Sequence, residues 1–410
     1  MRTRKSALLI VGLAAIALAG CGGGGTSVAG GGAATTPAPT PSPAPTPPSP
    51  PPATPAGVAD FTTVDFASVA NYSLPTLPVY FDQTVTALDN TPAGNAIDNR
   101  IATLGRVLFY DRRLSTNDTT ACASCHQQQF GFTDNRRFST GISGAQFTNA
   151  HAMRLGNVRY WQPGSMFWDR RAASVELQAS QPIINPVEMG WDAGAGGISA
   201  LLTKMAATTY YPDLFTWAFG SSAITEARIQ LALAQFERAM ISSNSLWDLG
   251  YAQVFAANAP NRGLNLDLPN FNAQQNRGRQ LFMGAPGPGG GAGCSACHLP
   301  PTFSLAANSR SNGLDAGETR LFKSPSLRSA GITGPYMHDG RFNTLAEVVD
   351  FYSDGIQDGP ALDNRLRGPG GTPQRLNLSA ADRAALVAFM QALTDNSLTT
   401  DLRFSNPFRK

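Results

Sequence analysis

The chain has 410 residues, 42% hydrophobic and 14% charged, enough to bury two cores once a biased N-terminus is set aside. A net charge of +3 with no basic cluster excludes a nucleic-acid-binding surface. There are only five cysteines and four histidines, so any motif that uses them carries weight.

Arg2, Arg4 and Lys5 form a basic start, and Ala7–Ala19 is an apolar stretch too short to span a bilayer. It ends in Leu18-Ala19-Gly20-Cys21, which resembles a bacterial lipobox, where the cysteine is lipidated and becomes the new N-terminus. Residues 1–21 therefore read as a lipoprotein signal peptide. An ordinary signal peptide with an incidental cysteine is the alternative, and either implies export. Residues 22–57 are mostly Gly, Ala, Thr and Pro, with a Pro-rich tract at Pro37–Pro55. That composition predicts a disordered, semi-stiff tether holding a folded body off a membrane.

Two short strings then dominate, CASCH at Cys122–His126 and CSACH at Cys294–His298. Each is C-x-x-C-H, the attachment site of a c-type haem. Two thiols three residues apart reach the two vinyl groups on one porphyrin edge, and the next residue puts an imidazole under the iron. Cys122, Cys125, Cys294 and Cys297 are thus the expected thioether residues, with His126 and His298 the proximal ligands. A zinc site would leave each histidine beside its cysteine, a poor tetrahedral chelate. A redox thiol pair needs no following histidine, least of all twice.

The motifs sit in an internal repeat. Gly105-Arg106-Val107-Leu108-Phe109 precedes Cys122, and Gly278-Arg279-Gln280-Leu281-Phe282 precedes Cys294 at nearly the same distance. A helix ending in Leu-Phe, a loop and a haem turn is how a cytochrome c domain begins, so two such domains are expected. Phe130, Phe132 and Phe303 follow the motifs and could cover haem edges. Between the motifs, 224–242 reads as a long helix with Ile229, Leu233, Phe236 and Met240 as its buried stripe. Near the end, Ser379 caps a helix in which Leu386, Phe389, Met390 and Leu393 share a face. No run of alternating strands is present.

LGRVLFYDRRLS, CASCHQQQFGFTD, FWDRRAASVELQASQPIINPVEMG, CSACH and PYMHDGRFNTLAEVVDFY resemble, in order and spacing, the bacterial di-haem cytochrome c peroxidase family, and within it the MauG-like branch. The resemblance covers nearly all of residues 80–400. It implies a mainly α fold of two cytochrome c-like domains facing each other, with few or no strands. The domains are placed at 58–262 (peroxidatic) and 263–410 (electron transfer). It also implies two covalently bound haem c groups.

By position, Trp168 is similar to the family's tryptophan between the porphyrins; a packed core tryptophan is the alternative. Gln178, Pro182 and Glu188 fall where the family has its distal glutamine, proline and glutamate. A carboxylate there can take a proton from one peroxide oxygen and return it to the other. Pro182 would keep the distal face apolar and open.

On the second side, Thr344 and Glu347 form a capping box, and Leu345, Val348, Val349 and Tyr352 share one helix face. Tyr352, fourteen residues after His338, matches the tyrosine that the MauG-like branch uses as sixth ligand to the second iron. Met337 is the rival. His338 is expected to anchor the domain interface through a hydrogen bond. No histidine occurs in 140–146, where the family's switchable ligand lies, so the first haem should be open; His151 is left as a neighbouring polar group or alternative ligand. The family's inter-domain calcium maps to the Asn149 side chain and the Thr333 and Pro335 carbonyls.

The resemblance implies a peroxidase, and the lipobox-like start places it in the periplasm, lipid-anchored to what is expected to be the outer membrane. It would reduce hydrogen peroxide with electrons from a small redox protein such as a cytochrome c or a cupredoxin. Competing readings are a MauG-like enzyme oxidising residues of a protein partner and a non-catalytic di-haem electron carrier. A homodimer is left open.

Overall fold

The computed structural model of the protein describes residue 55, residues 57–287 and residues 290–409. The expected signal segment, Cys21 and nearly all of the tether lie outside the described residues. Pro52–Lys410 forms one compact unit.

Two helix pairs organise it, one for each copy of the Gly-Arg-x-Leu-Phe repeat. Asp98 caps α1 (Asn99–Tyr110) by accepting from the Arg100 and Ile101 N–H groups. Thr225 caps α2 (Glu226–Arg238) through the Arg228 N–H at 3.2 Å. Ile229, Leu233, Phe236 and Met240 are all fully buried, as their spacing predicts. The helix is shorter than 224–242 because Thr225 starts it and the chain beyond Arg238 turns aside to pair with Asn157, through Asn157 N–H to Met240 O at 2.8 Å and Ser242 N–H to Asn157 Oδ1 at 2.7 Å.

The short helix α3 (Leu246–Val254) links the halves. In the second half, α4 (Ala273–Met283) precedes the second motif and α5 (Leu345–Asp350) follows the PYMHDG turn. Capped by Ser379, α6 (Ala380–Gln391) buries Leu386, Phe389, Met390 and the following Leu393. The described residues contain one sheet of two short antiparallel strands, β1 (His298–Leu299) and β2 (Ser304–Leu305), with His298 opposite Leu305. The fold is therefore mainly α.

The helix pairs cross at glycine. A Cβ on Gly105 would stand 2.0 Å from the Ala232 carbonyl oxygen and 2.9 Å from the Phe236 Cβ. A Cβ on Gly278 would stand 1.9 Å from the Ala385 oxygen and 2.8 Å from the Phe389 Cβ. The repeated glycine thus sets how closely the helix before each motif meets the closing helix of its half.

Each crossing seeds a core. Leu108, Phe109, Leu233 and Phe236 belong to the first, and Leu281, Phe282, Leu386 and Phe389 to the second. Phe132 and Phe303 are fully buried members of the two cores rather than flat covers over a ligand edge.

The cores also draw on distant chain. Leu398 and Phe404 pack into the first, while Tyr80, Trp247 and Tyr251 pack into the second. Arg106 Nε donates to Ser405 O and Tyr110 Oη to Phe404 O, each at 2.7 Å, fastening the tail to α1. On α3, the buried Asp248 carboxylate takes the Arg328 guanidinium at 2.5 Å and the Tyr80 hydroxyl.

Gly105→Ala and Gly278→Ala should each cost about 3 kcal/mol or more, because backbone rather than a flexible side chain must yield. Denaturant unfolding of the two variants checks this; a loss below about 1 kcal/mol would mean that the crossings relax freely.

Candidate active site

Each C-x-x-C-H string folds as a tight turn, Cys122–Cys125 as one α-turn and Cys294–Ala296 as a 3₁₀ turn. All four thiols are free of disulfides. Burial raises them, Cys125 to about 11 and Cys294 to about 12. His126 Nδ1 lies 3.1 Å from the Phe132 carbonyl oxygen. A carbonyl can only accept, so Nδ1 carries the proton and Nε2 keeps the lone pair a metal needs. His298 Nδ1 is buried and has no partner among the described residues. Burial lowers both imidazoles, His298 to about 4, leaving both in the neutral, ligating form.

Two large cavities flank these histidines, of about 1430 Å³ beside His126 and about 1590 Å³ beside His298, their open mouths included. Cys125, Gln178, Pro182 and Glu188 line the first; Cys294, Cys297, Met337 and Tyr352 line the second. Trp168 lines both, and its indole N–H donates to the His151 carbonyl at 2.8 Å. Free thiols, neutral imidazoles and large cavities on the histidine side fit two covalently held porphyrins.

The two distal walls are built alike. An antiparallel bridge joins Met166 to Ala172 and another joins Tyr336 to Phe342. Phe167 and Met337 both take left-handed backbone, at φ 68° and 74°, as do Arg170 and Gly340 at 60° and 63°. Trp168 and His338 therefore occupy equivalent corners. Ser174 then caps Val175–Ala179 as Thr344 caps α5. Fourteen residues beyond the two corners stand Pro182 and Tyr352. One cavity thus has a proline where the other has a phenol.

The second wall departs from regular helix. After α5 the chain makes a π-helical turn, Phe351–Gly355, that carries Tyr352. The Tyr352 hydroxyl accepts from Asn312 Nδ2 at 3.3 Å, and Met337 Sδ lies 3.5 Å from the same nitrogen. Both side chains the sequence offers for this position therefore converge. Burial raises the phenol to about 12, against a smaller lowering by the Asn312 hydrogen bond.

On the first wall the Glu188 carboxyl is lifted above the usual range by burial, against a smaller pull from Arg171. The Arg171 guanidinium sits 3.5 Å over the Phe167 ring. His151 is buried with both ring nitrogens engaged, Nδ1 with the Arg136 carbonyl and Nε2 with the Thr133 hydroxyl, each at 3.1 Å. It is tied into the wall rather than presented as a ligand. The expected interface hydrogen bond of His338 is made by its backbone oxygen, which accepts from His151 N–H at 2.9 Å. Its ring instead stacks on Phe322 at 4.5 Å and meets Trp168 edge-on at 6.4 Å. Asn149 lines the first cavity; Thr333 and Pro335 line the second.

Glu237, Lys323 and Arg154 are among the cavity-lining residues that the sequence analysis does not single out. Glu237 lines the first cavity from α2, with its carboxyl pushed up to about 8 by burial. Lys323 and Arg154 line both cavities. The one available signal for Glu237 was an acid beside Phe236 in an apolar stripe; its neighbour Arg238 is neutralised by Glu176.

A family model for di-haem cytochrome c peroxidase matches residues 99–253. The methylamine utilization protein MauG of Methylorubrum extorquens is 30% identical over 321 residues, covering 74% of this chain and 80% of that protein. This chain belongs to the di-haem cytochrome c peroxidase family. The cytochrome c551 peroxidase of Nitrosomonas europaea is 31% identical over 268 residues, 61% of this chain and 72% of that one. The crystal structure of a MauG-like protein associated with microbial copper homeostasis superposes with TM-score 0.62 at 29% identity, covering 82% of this chain and 98% of that one. With the family come two haem c groups and peroxide-directed oxidoreductase chemistry.

If Tyr352 ligates the second iron, Tyr352→Phe changes the absorption spectrum of one haem and Met337→Leu changes neither. The reverse pattern in the purified holoprotein would assign the position to the thioether.

Proposed function

We propose that this chain is a periplasmic, lipid-anchored peroxidase that reduces hydrogen peroxide at the His126 side, with electrons delivered through the His298 side. The halves would be 58–262 and 263–410. The carrying observation is the contrast at equivalent positions: Pro182 offers no ligand atom to the first cavity, while Tyr352 offers one to the second. A bound haem supplies one-electron redox chemistry and an iron that binds peroxide or a sixth ligand.

The chain's own residues do the rest. Reduction of peroxide to two waters takes two electrons and two protons. Glu188 accepts a proton from one peroxide oxygen and hands it to the other, which leaves as water. Burial raises its affinity for that proton, which suits a group that must both take and return it. Gln178 orients the peroxide, Pro182 keeps the face dry, and Trp168 relays oxidising equivalents between the cavities it borders.

Tyr352 also favours a second reading, in which the enzyme oxidises residues of a protein partner as a MauG-like catalyst. A phenolate ligand stabilises ferric and higher states, whereas a thioether raises the potential. Peroxide titration without added reductant separates the two: stoichiometric reaction of the fully ferric protein favours the MauG-like reading, and dependence on prior reduction favours the donor-driven peroxidase. The donor would be a small cytochrome c or cupredoxin.

The anchor rests on Cys21 and the segment before it, and no helix among the described residues is long and apolar enough to cross a membrane. Asn149, Thr333 and Pro335 would hold calcium. In support, the Asn149 side chain and the Thr333 and Pro335 carbonyls accept no hydrogen bond among the described residues, while the Thr333 hydroxyl is taken by Arg154. Metal analysis after dialysis should find one calcium per chain; none, in protein prepared with calcium, removes the site.

Glu188→Gln should slow the reaction with peroxide roughly 100-fold or more while both haems stay attached. In the parent enzyme the rate should fall as pH drops through a value above the ordinary glutamate range, because the proton acceptor is lost. That acid limb should vanish in the variant. An unchanged rate would remove Glu188 from the proton path.

A further inference from the structure

Two buried cations, Lys323 and Arg154, line both cavities, and the half-buried Arg170 stands near them; none of the three has a carboxylate partner among the described residues. Lys323 is 4% exposed; its ammonium meets Met153 Sδ at 3.4 Å and the face of Trp161, 5.0 Å from the ring centre. The buried Arg154 guanidinium donates only to the Ser326 carbonyl and the Thr333 hydroxyl. Arg170 donates to the carbonyls of Ser309 and Phe322 at 2.8 and 2.9 Å, and its Nε is buried with no partner.

Of the other buried arginines, Arg106 also lacks an acid and is held by the Ser405 carbonyl and hydroxyl, while three are ion-paired. Buried Arg238, Arg279 and Arg328 each have an acid, Glu176, Asp267 and Asp248. An uncompensated buried charge is costly, and an anion from outside the chain would offset that cost. Burial and repulsion from Arg170 and Arg154 push the Lys323 ammonium down to about 7, as expected of a cation lacking its counter-ion.

Lys323 and Arg154 both line both cavities. A porphyrin tethered through its vinyl edge carries two carboxylates on the opposite edge. We propose that Lys323 and Arg154 form a carboxylate-binding site that receives a haem propionate, with Arg170, itself 5.5 Å from the Trp161 ring centre, adding positive field. The proposal rests on the reading of two covalent haems. Ammonium and guanidinium donors form short, strong hydrogen bonds to carboxylates, so the site would fix the tilt of the ring. It would also raise the reduction potential of the haem concerned, since a nearby cation disfavours the more positive ferric state.

The test uses the full holoprotein, with spectroelectrochemical potentials and resonance Raman bands of the propionates. Lys323→Met should lower one haem's reduction equilibrium roughly tenfold, about 59 mV for a one-electron couple, and shift its propionate bending band. Lys323→Arg should keep the potential near that of the parent while still shifting the band. Unmoved bands and potentials in a di-haem Lys323→Met protein overturn the proposal. Should that variant fail to mature, Lys323→Arg decides, and an unmoved band overturns it. A saturable response of the parent's potentials to added acetate would mean that a free carboxylate fills the site, and also overturns it. Mass analysis of each protein separates these outcomes from failure of the di-haem reading, which would appear as fewer than two bound porphyrins in the parent.

Discussion

Two crossings at glycine carry this architecture. At Gly105 and at Gly278 a helix backbone lies against a carbonyl of the closing helix, with no room for a methyl group. The helix before each C-x-x-C-H turn is thereby held against the helix that ends the half. The buried Leu-Phe pair of each repeat then faces the crossing, and the attachment turn leaves from a rigid base. Everything that distinguishes the two halves is added to this shared frame.

What is added is asymmetric. The walls share a bridged corner, a left-handed residue ahead of it and a capped helix after it. From equivalent corners the first half presents an indole bordering both cavities, and the second presents an imidazole stacked on Phe322. A further fourteen residues on, proline and tyrosine part company. The duplicated frame thus supplies two similar sockets whose walls differ in a few side chains, a proline in one where the other has a phenol.

The local features were legible in the sequence. The two attachment motifs, the repeat ahead of them, the Thr344–Glu347 box, the Ser379 cap and the stripe from Ile229 to Met240 are short-range patterns, and the structure places each as its spacing implies. Features set by long-range contact were not legible. The π-helical turn at Phe351–Gly355 follows from packing of that segment rather than from its periodicity. The engagement of both His151 nitrogens depends on Thr133 and Arg136, which no motif ties to it. Lys323 and Glu237 looked like ordinary charged residues because their burial is imposed by partners far along the chain.

The tail has a consequence for how such a chain is assembled. Leu398 and Phe404 complete the first core, and the Gln128 amide, two residues after His126, donates to the carbonyls of Leu398 and Asp401 at 3.1 and 2.9 Å. The first core is therefore complete only when residues near 400, far along the sequence from the first attachment turn, are packed against it. The turn that carries the first pair of thiols is thus braced by a segment about 270 residues away in sequence, so a change in the tail reaches the first attachment site directly.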